Sequence, residues 1–395
     1  MAPLHHGVSA GGMDFGFSDE QRLLRETVQK LMAKHAPPAE VRRLDHAKEY
    51  PSALYDAWIE AGLLALPFAP EYGGLGGGAV DACIVMEEIG RVSGDLSMAM
   101  GGSMFCGLNV QRKGTEEQKR HWLPRLLKGE IKMSISMSEP DAGSDVGAMR
   151  STAVRDGNGY VINGQKLWAT GAGAKNNVIN VYVKTDPKAN HRQGMSLFLI
   201  DNDTKGVELR KLDMVGRYCT GTYEIFFNAV RAEPERLIGG ENKGWECILS
   251  GLQVERVVAA AADCGGCLGV VELASSFAKE RKQFGKPIGS NQAIAHMLAD
   301  MQTEAAAARA LMWLCASKVD KGEDALAEIT MAKLFASETY ARLANMGMQI
   351  FGGYGYNREF DMERHFRDAR VATVAAGTSQ MQRNLIAGLM GHKVQ

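Results

Sequence analysis

Glu255 stands in Ser250-Gly-Leu-Gln-Val-Glu-Arg256, and its neighbours three and four places away are Gly251, Leu252, Val258 and Ala259. In a helix those residues share its face, so no charge accompanies it there. A carboxylate held against apolar surface is harder to ionise. Its pKa rises toward the range in which it can take a proton and later release it. The same pattern fits a glutamate at a helix surface, or one paired with a distant Lys or Arg. Three other segments have chemistry-bearing composition. Met137-Ser-Glu-Pro-Asp-Ala-Gly-Ser-Asp145 is rich in turn formers, Lys166-Leu-Trp-Ala-Thr170 places a Trp on a strand, and Ala375-Ala-Gly377 reads as a tight turn between helices.

The elements that must position these residues follow from spacing. Ser18 with Gln21, and Thr115 with Gln118, are capping-box starts before apolar residues at helical intervals, so the first ~130 residues read as helical. After Lys132 the chain shifts to short β-branched and aromatic runs: Tyr160 to Ile162 after an Asp-Gly-Asn-Gly turn, Val178 to Val183, Ser196 to Ile200 and Tyr223 to Phe227. From about Gly244 an Ala-rich helical pattern resumes. The expected boundaries are 13–131 for a helical domain, 132–243 for a β domain and 244–395 for a helical bundle. With no βαβ alternation, a doubly wound nucleotide fold is disfavoured. The cluster Gly73-Gly-Leu-Gly-Gly-Gly78 has the spacing of a dinucleotide fingerprint, but Pro67 and Pro70 occupy the place of its strand, so it reads as a loop.

A chain of 395 residues, 45% hydrophobic, exceeds one core and implies two or three packed domains. Its 45 Lys plus Arg against 46 Asp plus Glu leave no long-range field to select nucleic acid or an anionic membrane. Seven cysteines are too sparse for a disulfide framework, and the pair Cys264-Gly-Gly-Cys267 sits in a helical run where small-residue packing outweighs a redox role. No metal-type spacing accompanies it. Met1 to Gly12 lack a signal-peptide core and read as a tag or disordered leader. The most apolar helix is interrupted by Asp263 and Glu272, so membrane insertion is not expected and a cytoplasmic protein is.

The segments Gln349-Ile-Phe-Gly-Gly-Tyr-Gly-Tyr356 and Ala375-Ala-Gly-Thr-Ser-Gln380, with those above, resemble the acyl-CoA dehydrogenase family from about Phe17 to Gly391. Many members carry a catalytic Glu directly before the Gly-Thr, and here that place is Ala376. The isovaleryl- and long-chain-type branch carries its base at the place matching Glu255. The resemblance therefore implies a three-part fold: an N-terminal helical domain, a middle β-barrel or sandwich and a C-terminal four-helix bundle. It further implies an FAD-dependent desaturation of an acyl-CoA to a trans-2-enoyl-CoA, with Glu255 as base and the Ala376 backbone N–H as oxyanion donor. Cofactor contacts are implied at Met137, Ser138, Trp168 and Thr170, at Arg281, Phe284 and Gln292 reaching a neighbouring subunit, and at Gln349, Gly352, Gly353, Thr378 and Gln380. Substrate contacts are implied at Ser144, Gln253, Arg256, Ala375 and Gly377, although Arg256 also fits a buried structural role. An electron-transfer flavoprotein as acceptor and a homotetramer complete the expectation. Three alternatives stay open: an enoyl-CoA reductase, a flavin oxidase or monooxygenase, and a non-catalytic scaffold that lost its base.

Overall fold

The computed structural model describes residues 16–393, apart from the side chains of His191, Leu252 and Gln253. The leader expected at Met1 to Gly12 lies outside the described residues. Six helices come first: α1 (Asp19–His35), α2 (Pro38–Ala47), α3 (Ser52–Glu60), α4 (Ala79–Val92), α5 (Gly94–Lys113) and α6 (Glu116–Leu127). Both expected capping boxes form. The Ser18 hydroxyl accepts the Gln21 N–H and the Gln21 side chain accepts the Ser18 N–H, each at 3.2 Å. Thr115 and Gln118 repeat the exchange, and the Gln118 amide then donates to the carbonyls of Glu235 and Leu237, tying α6 to the next domain.

The β domain comprises β1 (Lys132–Ser136), β2 (Thr152–Asp156), β3 (Gly159–Thr170), β4 (Asn177–Lys184), a single helical turn α7 (His191–Gly194), β5 (Met195–Asp201), β6 (Val207–Lys211), β7 (Thr222–Ala232) and β8 (Leu237–Ile238). The strand order is β6-β7-β3-β2-β4-β5-β8, with β1 parallel to β4 off that path. Every β-rich run read from the sequence falls on a strand. Alternating residues such as Ile162, Ile179, Val181, Phe198, Ile225 and Phe227 fill this domain's own core.

The long helix α8 (Gly244–Glu280) leads through a two-strand turn, β9 (Lys282–Gln283) and β10 (Lys286–Pro287), into α9 (Gln292–Asp320), α10 (Leu326–Phe351), α11 (Met362–Ala372) and α12 (Ser379–Leu389). Helix α8 is the spine of the molecule, because its N-terminal half packs in one core with α4 and α5 while its C-terminal half packs with α10 and α11. Small residues allow this: a Cβ on Gly90 would lie 2.2 Å from the Ala262 carbonyl oxygen, and one on Gly265 would lie 2.0 Å from that of Glu87. Cys264 and Cys267 sit in this contact, buried and unpaired, with thiols pushed up by burial, as expected of packing residues. Val254–Glu280 is long and apolar enough to cross a membrane, yet 78% of its apolar window is buried inside the protein.

The glycine cluster is a loop with no strand before it among the described residues. It delivers the chain to α4, whose first N–H groups, at Ala79 and Val80, donate to the Asp320 carboxylate. An internal anion thus occupies the helix N-terminus that a dinucleotide fingerprint would offer to phosphate.

Candidate active site

One wall is built by the loop after β1 and by β3. Lys166 is fully buried and donates to the Met137 carbonyl at 2.9 Å and to Glu139 at 2.8 Å. Burial lowers the Lys166 pKa to about 8, against the pull of Glu139. Burial also raises Glu139, but Lys166 and the N–H groups of Arg150 and Ser151 more than offset it. A second tie runs from the Leu167 N–H to the Ser138 carbonyl at 2.8 Å. These bonds lock loop to strand and leave Met137 and Ser138 half-buried at the edge. A register shift in β3 between Lys166 and Ala169 throws Trp168 into the left-handed region, φ 65°, and leaves it 53% exposed. A Trp strained and half in solvent on a strand is not core filling. Thr170 pairs its hydroxyl with that of Thr222 at 3.2 Å, and Ser144 is exposed in the loop.

A second constellation lies at the far end of α8. Arg281 caps this helix, its guanidinium 5.0 Å above the Tyr354 ring and in no ion pair among the described residues. It lines a cavity of about 540 Å³ together with Phe277, Gly352, Gly353 and Tyr354. A Cβ on either glycine would meet nothing within 4 Å, and Gly352 has φ 58°. Phe284, also left-handed at φ 52°, is 99% exposed at the tip of the β9–β10 turn, while Gln292 and Gln349 are exposed nearby in sequence, beside that turn and Gly352. An unpaired guanidinium, bare backbone and a projecting ring are what an anionic, aromatic-bearing cofactor shared with another protein surface would use.

The third constellation is Glu255 with the turn between α11 and α12. Glu255 accepts no hydrogen bond among the described residues and keeps some accessible surface although protein crowds its carboxyl. Burial pushes its pKa up to about 7, opposed by Arg256 and Lys333. Arg256, on the next position of α8, has Nε and Nη1 buried without hydrogen-bond partners among the described residues, and its Nη2 lies 4.0 Å from where a Cβ on Gly377 would be. Ala376 is exposed and left-handed at φ 54°, a strained choice for a residue with a Cβ. Its N–H has no hydrogen-bond partner among the described residues, whereas the Ala375 N–H is used by the Val371 carbonyl. Thr378 caps α12 through its hydroxyl, and Gln380 is exposed in the first turn. The side chain of Gln253 lies outside the described residues.

The sequence pattern around Glu255 shows no charge on its own helix face, yet Lys333 reaches its surroundings from α10. Lys333, Asp263 and Gln382 were not legible as site residues. The available signal was a lone lysine in the apolar run Ile329-Thr-Met-Ala-Lys-Leu-Phe-Ala336, and a lone aspartate in the most apolar helix. No group of three or more potential metal ligands occurs among the described residues.

Family models match nearly end to end: acyl-CoA dehydrogenase N-terminal domain over residues 18–130, middle domain over 134–230 and C-terminal domain over 242–390. The chain is 35% identical over 376 residues to the caffeyl-CoA reductase-Etf complex subunit CarC of Acetobacterium woodii, covering 95% of this chain and 99% of that protein. It is also 35% identical to the mitochondrial isovaleryl-CoA dehydrogenase of Pongo abelii, over 94% of this chain and 88% of that one. The solved butyryl-CoA dehydrogenase from Megasphaera elsdenii has the same fold, with a TM-score of 0.91 at 29% identity, covering 96% of this chain and 100% of that one. This chain belongs to the acyl-CoA dehydrogenase family. It is an FAD-dependent oxidoreductase that acts on the CH–CH bond of acyl-CoA thioesters.

Proposed function

We propose that this protein desaturates an acyl-CoA to a trans-2-enoyl-CoA with Glu255 as the base. The observation that carries the assignment is a carboxylate without hydrogen-bond partners among the described residues, raised to about 7 by burial, in a chain whose place for the family's usual base is Ala376. At neutral pH such a group is divided between its two protonation states, the condition under which a general base works best. As Glu255 takes the α-proton, negative charge moves onto the thioester oxygen. The free Ala376 N–H is the donor aimed at that charge, and a backbone donor survives the absence of a side chain. FAD, when bound, supplies the acceptor for the β-hydride. Met137, Ser138, Trp168 and Thr170 would hold its ring on the loop and strand that Lys166 locks together. Arg281, Phe284 and Gln292 of one subunit would meet the cofactor of another, beside the Gln349 to Gly353 turn, Thr378 and Gln380, in a homotetramer. Ser144, Arg256, Ala375 and Gly377 would line the thioester site.

A second reading is the reverse reaction, which the similarity to a reductase subunit favours. Both directions use the same proton position, so the base assignment serves either. The Etf named in that relative's complex supports an electron-transfer flavoprotein as redox partner. A scaffold that had lost its base is disfavoured by the raised Glu255 pKa.

Three outcomes test this reading. Glu255→Gln keeps shape but cannot take a proton, so anaerobic flavin reduction by a good acyl-CoA should slow about 10²- to 10⁴-fold with FAD retained, roughly 3 to 5 kcal/mol of barrier. Adding Ala376→Glu should restore part of the rate, more for straight than for branched chains, because the new carboxylate fills space left open by Ala376. A wild-type rate in Glu255→Gln would make Glu255 a structural carboxylate. Arg281→Ala removes a charge-assisted contact worth roughly 1.5 to 3 kcal/mol, so FAD content and tetramer fraction in analytical ultracentrifugation should both fall. Full FAD occupancy in a monomeric wild type contradicts the shared-cofactor arrangement. In stopped-flow mixing, product-bound reduced enzyme should pass electrons to electron-transfer flavoprotein faster than to oxygen, since bound product shields the site. Equal rates would replace this reading with an oxidase.

A further inference from the structure

Lys333 is 1% exposed, and no carboxylate lies within ion-pair distance of its ammonium among the described residues. It donates instead to two neutral carbonyls, Ala372 at 3.0 Å and Gly377 at 2.8 Å. These acceptors flank the α11–α12 turn, so one side chain spans the segment that presents the Ala376 N–H. Gln382 braces the same place, donating to Gly377 at 3.0 Å. A buried cation is costly unless its field is used, and two carbonyls compensate it only in part.

The charges around Lys333 show where its field falls. Glu255, Arg256 and Asp263 face it from α8, and Arg217 faces it from the loop before β7, while the end of α11 and the turn after it offer the carbonyls of Ala372 and Gly377. Asp263 lies two helical turns below Glu255 on the same side of α8, and its pKa rises to about 6 through burial, against Lys333 and Arg217. Glu255 is faced by Arg256 on its own helix and by Lys333 from α10. The Cys106 thiol on α5 and the Tyr182 phenol on β4 also feel it, and burial keeps both protonated.

During the proposed proton transfer, negative charge leaves Glu255 and appears on the thioester oxygen at the Ala376 N–H. Lys333 is bonded to the turn at the second of these places and acts electrostatically on the first. Resting on the assignment of Glu255 as base, we propose that Lys333 is a positioning residue for both ends of this transfer: it fixes the turn that carries the oxyanion donor and keeps Glu255 ready to accept the α-proton. Burial lowers the Lys333 pKa, opposed first by Asp263 and then by Glu255, and Gln382 shares the mechanical part of the task.

The test is the pH dependence of anaerobic flavin reduction in FAD-loaded wild type, Lys333→Met, Lys333→Arg, Gln382→Leu and Glu255→Gln, with FAD content and melting temperature measured for each. Removing the cation disfavours ionised Glu255, so in Lys333→Met the midpoint should move to higher pH by roughly one unit. Its limiting rate should fall at least about 10-fold. Lys333→Arg should keep the wild-type midpoint. Gln382→Leu should lower the limiting rate without moving the midpoint, because it loosens the turn and changes no charge. A loaded, folded Lys333→Met with the wild-type midpoint overturns the proposal. Should that variant fail to load FAD, Gln382→Leu decides, and a wild-type limiting rate in it overturns the proposal as well. Glu255→Gln keeps the two claims apart: a wild-type rate there removes the base assignment, whereas a normal midpoint in Lys333→Met beside an inactive Glu255→Gln removes only the role of Lys333.

Discussion

A carboxylate in the middle of a core helix governs this molecule. Helix α8 is packed against α4 and α5 along one half and α10 and α11 along the other, with close backbone contacts at Gly90 and Gly265. Any ionisable group there has to be compensated by protein or to stay partly neutral. Glu255 has no hydrogen bond among the described residues, and Arg256 and Lys333 oppose its burial without cancelling it, so its pKa climbs to about 7. The packing that holds the domains together is therefore also the source of the group's basicity. Loosening that packing would return Glu255 toward an ordinary, weakly basic carboxylate.

The same principle shapes the edges of the site. Two buried lysines, Lys166 and Lys333, each bond to main-chain carbonyls and so hold irregular backbone in place, at Met137 on one side and at Ala372 and Gly377 on the other. A left-handed residue with a side chain stands near each lysine's contacts, Trp168 two places after Lys166 on β3 and Ala376 beside Gly377. Such conformations persist when the surroundings over-determine them. The β domain and the helical bundle thus use one device, a buried lysine bonded to main-chain carbonyls close to a left-handed residue.

Much of this was legible in the residue order. Capping boxes at Ser18 and Thr115 gave helix starts because the cap is a local exchange of hydrogen bonds, and alternation gave the strands because one face of each is buried. The glycine cluster could be refused a phosphate because prolines replaced its strand, and Asp320, 241 residues away from Ala79, turned out to fill the helix end. That partner could not be read from spacing. Glu255 stood out because its own helix face is apolar, but the lysine that tempers it comes from α10, and Gln382 and Asp263 join only through tertiary packing. The Ala376 conformation was equally hidden: a Gly-Thr turn suggests tight backbone, and only the structure shows that the strain falls on the alanine and leaves its N–H free.

The most direct test of the central claim, that burial makes Glu255 the base, is the pH dependence of single-turnover flavin reduction in the wild-type enzyme under anaerobic conditions. Glu255 is protonated below its raised pKa and cannot accept a proton there, so the rate should rise with pH through an ionisation near 7 and level off above it. A rate that is already at its plateau by pH 5, as an exposed carboxylate near its ordinary value would give, contradicts the account.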